Sequence, residues 1–127
     1  MMDHLCCYND LNKMYKEGID YRITAINQGG RILILAPHGG GIEGGTSELA
    51  LEIAGEDISL YLFEAILFNG NKKLHIASTK FNEPQYLNLI TKFETSLAIH
   101  GCGGKEPKIH VGGKNQELMS QFINKLS

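Results

Sequence analysis

The sequence predicts an α/β fold, a mixed β-sheet flanked by helices in three layers. Short apolar runs suited to strands alternate along the chain with stretches that are apolar at helical spacing. Arg31-Ile-Leu-Ile-Leu-Ala36 is a continuous apolar run bounded by glycines and Pro37, as expected of a central strand covered on both faces. Asn69-Gly70-Asn71 lies between two further runs and predicts a hairpin, which makes the sheet mixed. No linker divides the 127 residues, so residues 1–127 are expected to form one α/β domain.

The elements follow in order. Tyr8–Lys16 reads as a short helix with Leu11, Met14 and Tyr15 on one face and Gly18 as its stop. Tyr21–Asn27 alternates weakly and reads as an edge strand, and Arg31–Ala36 is the central one. Thr46 or Ser47 can cap a helix running to about Ala54, with Glu48 near its positive end. Ser59–Leu67 is rich in Leu, Tyr, Phe and Ile and reads as a strand turning into a second at Leu74–Ser78. Pro84 opens a helix through about Glu94, since proline in the first turn loses no helical hydrogen bond. Ser96–His100 and Lys108–Val111 are short strands, and Asn115–Leu126 is a final amphipathic helix.

Composition excludes several classes. Apolar residues at 43%, charged residues at 20% and a net charge of −2 argue against nucleic-acid or membrane binding by bulk charge. No run approaches the roughly 20 apolar residues of a membrane span, and Met1–Tyr8 lacks the apolar core of a signal peptide. Cys6, Cys7 and Cys102 are an odd set with two adjacent members, so a reducing cytoplasm is expected rather than a disulfide framework.

Glycine is the departure: 15 residues, where about 9 would be average for this length. Seven fall between Gly29 and Gly45. Two predicted central strands end alike, one in Pro37-His38 and the other in His100-Gly101. In open α/β sheets, sites form beyond the carboxyl ends of the strands. If these strands are parallel neighbours, His38 and His100 meet there, and the glycine turn can fold Glu43 back onto them. Two imidazoles and a carboxylate form the protein ligand set of a catalytic zinc site. The competing reading has both histidines bonded to nearby backbone and Glu43 solvated. Gly39-Gly40-Gly41-Ile42-Glu43-Gly44 also matches a dinucleotide-binding G-x-G-x-x-G, but Glu43 would place a carboxylate near the pyrophosphate. His75 reads as a core or supporting residue within a strand, Cys102 as a small buried residue, and Glu83 as a solvated first-turn acid.

Several segments together resemble the poly-γ-glutamate hydrolase family of phage depolymerases and prophage-borne relatives. They are Ala36-Pro-His-Gly-Gly-Gly-Ile-Glu43, Gly45-Thr-Ser-Glu-Leu-Ala50, Leu74-His-Ile-Ala-Ser-Thr79, Phe81-Asn-Glu-Pro84, Ile99-His-Gly-Cys102 and Val111-Gly-Gly113. The resemblance runs from about Tyr8 to the C-terminus. It implies a fold like that of zinc carboxypeptidases, Zn2+ as cofactor, and cleavage of the γ-linked amide of poly-γ-glutamate. Carried over by position, the metal ligands fall on His38, Glu43 and His100. Lys80 and Lys105 are candidate contacts for substrate carboxylates, with Lys108 a third. Lys80 and Asn82 stand where the family has a histidine and an aspartate. Family members also continue into a stretch carrying the glutamate expected as general base, and no residue here matches it. The expectation is therefore a truncated member, either a hydrolase or a metal-binding remnant acting by binding or assembly. A homo-oligomer covering the exposed sheet edge is a further expectation.

Overall fold

The structure is a computed structural model that describes residues 5–102 and 108–112, with backbone alone for 102 and 108–112. The elements are α1 (Tyr8–Met14), β1 (Tyr21–Ile26), β2 (Ile32–Gly40), α2 (Thr46–Ala54), β3 (Ser59–Ala65), two 3₁₀ turns (Asn71–Leu74 and Ser78–Lys80), α3 (Pro84–Ile90), β4 (Thr95–Cys102) and β5 (Lys108–Gly112). The predicted helix at Asn115–Leu126 lies outside the described residues.

The five strands form one sheet in the order β1-β3-β2-β4-β5. The central three are parallel, and β1 and β5 run antiparallel to their neighbours at the edges. Strand periodicity divides the core into two layers. Leu33 and Leu35 of β2 and Tyr61 and Phe63 of β3 point to the side covered by Leu11 of α1 and Leu89 of α3. Ile34, Ala36, Leu60, Leu62, Leu97 and Ile99 point to the other side, beneath Ala50 and Ala54 of α2. Two helical layers thus enclose the sheet. Every residue of β3 is buried, because this strand has a neighbour on each edge and a layer on each face.

Several expectations are corrected. The Leu74–Ser78 segment is not a strand, and the antiparallel pairs that make the sheet mixed are β1 with β3 and β4 with β5, not a hairpin at Asn69-Gly70-Asn71. Gly70 adopts a left-handed conformation at the start of a 3₁₀ turn, and the Asn71 side chain bonds both the amide and the carbonyl of Leu67 (2.7 and 3.1 Å). That closes a local loop, so these backbone groups need no hairpin partner. Leu74 and Ile76 alternate with less buried neighbours because they dock into the core layer, each 1% exposed.

The first central strand also runs on through Pro37-His38-Gly39-Gly40 instead of ending at Ala36. Its pairing with β3 slips between Ala36 and Gly39, and its pairing with β4 stops at Leu35. Pro37 sits where both ladders lapse, so its missing N–H costs nothing. Helix α3 stops at Ile90 rather than near Glu94. Glu83, expected to be solvated, is 2% exposed and caps α3, accepting from the amides of Gln85 and Tyr86 and from the Tyr61 hydroxyl. Neither Thr46 nor Ser47 caps α2; the cap residue is Gly45. Among the described residues no helix is long and apolar enough to cross a membrane.

Candidate metal centre

The bulge at Pro37 turns His38 inward at the carboxyl end of β2, where its side chain is only 4% exposed. Its Nε2 lies 2.5 Å from the Ile76 carbonyl. A carbonyl only accepts, so Nε2 carries the proton and the neutral ring presents a lone pair at Nδ1. Burial holds the His38 pKa below its usual value, and the neighbouring His75 adds to this, against an opposing pull from the Ile76 hydrogen bond. The ring is therefore neutral near pH 7. Nδ1 is buried with no hydrogen-bond partner, and it faces Glu43 Oε1 at 3.4 Å.

Glu43 is brought back by the turn after β2. Its amide donates to the His38 carbonyl (3.0 Å), and its own carbonyl accepts from the Thr46 hydroxyl (2.9 Å). Glu43 Oε1 accepts the Gly101 amide (2.9 Å) and lies 3.7 Å from His100 Nδ1. The rings of His38 and His100 are 5.2 Å apart, because β2 and β4 are parallel neighbours. Two glycines make the approach possible. Gly40 has a positive φ of 62°, and a Cβ there would strike the backbone of Ala65. At Gly101 a Cβ would lie 2.9 Å from Glu43 Cβ, so any side chain would displace the carboxylate.

The structure thus brings His38, Glu43 and His100 together. Nδ1 of each imidazole faces the same carboxylate oxygen, at 3.4 and 3.7 Å, and the buried Nδ1 of His38 has no hydrogen-bond partner, a need that a cation would meet. The proton on Nε2, held by a backbone carbonyl, is the usual support of a metal-bound histidine. The residues present fit a zinc ion.

The dinucleotide reading fails on the same backbone. The amides that would cradle phosphate are used internally: Gly40 on Ser47 Oγ, Gly41 on the Ala65 carbonyl, Ile42 on Gly39 and Glu43 on His38.

Of the candidate lysines, Lys80 is exposed at the end of the second 3₁₀ turn, and no described hydrogen bond or ion pair ties it to the centre. Lys105 lies outside the described residues, as does the side chain of Lys108. Sequence reasoning missed Lys72, whose ammonium donates to the Ile42 carbonyl (3.0 Å) beside Glu43. It also placed His75 in a strand. The residue follows a 3₁₀ turn and stacks on His38, with ring centroids 4.0 Å apart. Spacing to the two lysines and to Ile76 carries no signal for either position.

Comparison with known proteins adds independent findings. Residues 6–127 match the family described as poly-gamma-glutamate hydrolase. The SPbeta prophage-derived UPF0714 protein YoqZ of Bacillus subtilis (strain 168) is 44% identical over 109 residues, covering 86% of this chain and 39% of the relative. UPF0714 protein YndL of the same organism is 42% identical over 107 residues, 84% of this chain and 42% of the relative. The chain therefore spans less than half the length of these curated relatives. A solved structure of a bacteriophage poly-gamma-glutamate hydrolase superposes with a TM-score of 0.74 at 33% identity, covering 76% of this chain and 47% of that one. The zinc-free apo structure of YndL gives 0.86 at 38% identity, over 98% and 61%.

Proposed function

Because this chain belongs to the poly-gamma-glutamate hydrolase family, we propose that it carries the zinc centre of a hydrolase acting on γ-glutamyl amide bonds. The observation that carries the reading is the buried, unpartnered His38 Nδ1 aimed at Glu43. His38, Glu43 and His100 hold the metal. Zinc, when bound, would supply Lewis acidity that polarises an amide carbonyl and lowers the pKa of water to about 7. The Ile76 carbonyl fixes the His38 tautomer, and the Gly101 amide and Thr46 hydroxyl orient Glu43 and its loop. No residue of the chain is assigned as general base.

Poly-γ-glutamate carries one free carboxylate per residue, so a productive site needs positive charge near the metal. Lys72 places an ammonium beside the Glu43 loop and keeps donors to spare after its bond to Ile42. The same role is proposed for Lys80 and Lys105 further along the polymer. Purified protein loaded with zinc and incubated with poly-γ-glutamate is expected to shorten the polymer in a chelator-sensitive way. Stoichiometric zinc without shortening supports the binding-module reading instead, and absence of zinc binding defeats both.

A further inference from the structure

We propose that the loop from Phe68 to Lys73 is a substrate-binding rim of the metal centre; the proposal rests on the γ-glutamyl hydrolase reading above. Lys73 holds a free carboxylate of the polymer, and Phe68 packs against the methylene groups beside it.

The loop begins and ends at the centre. It leaves β3 at Ala65, whose carbonyl accepts the Gly41 amide (3.0 Å). It returns through the 3₁₀ turn to His75, whose ring stacks on His38. Between these points its backbone is tied down. Asn71 bonds both backbone groups of Leu67 and packs so closely on the metal loop that a Cβ at Gly41 would strike it. Lys72 ties the turn to the Ile42 carbonyl (3.0 Å). The stem of Lys73 passes 3.8 Å from where a Gly70 Cβ would stand, so this lysine follows the loop back towards its tip. There Phe68 is fully exposed.

Neither side chain serves the fold. Phe68 belongs to neither core layer, and no ion pair among the described residues engages Lys73. Residues 66–82 hold three lysines and no acid, in a chain of net charge −2. Basic charge is thus gathered on the segment that borders the metal centre. Poly-γ-glutamate is its chemical complement, because every repeat sets a free carboxylate beside a pair of methylene groups. An ammonium takes the first by a charge-assisted hydrogen bond, and an exposed ring gains by covering the second.

The test is the initial fluorescence anisotropy of end-labelled poly-γ-glutamate titrated with the zinc-loaded chain, wild type beside Lys73→Met and Phe68→Ser. Each variant is expected to bind about tenfold more weakly at wild-type zinc content, and added salt to weaken the wild type more than Lys73→Met. Wild-type affinity in either variant, or weakening that comes only with loss of zinc, overturns the rim and leaves the hydrolase reading standing. A wild-type chain that holds zinc and binds no polymer overturns both.

Discussion

A lone pair buried beside a carboxylate is an unstable arrangement, and the residues around His38 maintain it. Leaving a buried acceptor unpaired costs about 1–3 kcal/mol, which the metal-free protein bears at Nδ1. Gly101 is the clearest lever, because its amide and its lack of a side chain both position Glu43. Gly101→Ala should keep the fold by circular dichroism and weaken zinc affinity by roughly 10–100-fold, the usual cost of removing a supporting group. Unchanged affinity in a competition titration would show that Glu43 is not held by this contact. Tyr61 offers a separate check. Burial, and next the charge of Glu83, push its phenol pKa above the usual 10.0, and burial does the same at Tyr21. A raised folded pKa gives stability that is complete below 10.0 and is lost as pH rises beyond it. Unfolding free energy should therefore fall above pH 10, with phenolate absorbance from these residues appearing together with unfolding. Full phenolate absorbance in a still-folded chain would contradict it. At this scale the meeting of His38, Glu43 and His100 was legible, since each stands beside a glycine turn or strand end. His75 and Lys72 were not, because the 3₁₀ turn that presents them depends on Asn71 bonding back to Leu67.

The elements differ in how far their sequences determine them. Apolar runs made β2, β3 and β4 readable, and Pro84 marked the start of α3. The segment after Asn69-Gly70 misled because alternation records burial, and Leu74 and Ile76 are buried without joining the sheet. Glu83 misled in the opposite direction. A first-turn acid usually faces water, but this one is buried and accepts the Tyr61 hydroxyl and the Tyr86 amide. Glu83→Ala removes a cap worth about 1 kcal/mol and strands the Tyr61 hydroxyl at about 1–3 kcal/mol. Tm should fall by on the order of 10 °C. Adding Tyr61→Phe should cost less than the two single changes summed, since both break one contact. Strict additivity would show that the buried hydrogen bond carries no coupling.

Over the whole molecule, the centre lies where two parallel strands end, between a sheet closed on both faces and the turn that follows β3. The layered architecture was legible from alternating elements, and so was β1 as an edge strand; the place of β3 between β1 and β2 was not, because it joins segments far apart in sequence. Metal bound only by the native state should stabilise all of it. At zinc concentrations of about 100 times Kd the gain is roughly 2.7 kcal/mol, visible as a rise in Tm that a chelator reverses. A Tm indifferent to zinc would argue against a native-state site. The most direct measurement is elemental analysis of wild-type chain beside His38→Ala and Glu43→Ala, each dialysed against the same weak chelator. Stoichiometric zinc in the wild type and its loss from both variants is the predicted result. Variants that retain wild-type zinc content, or a wild type that holds none, would contradict the metal centre described here.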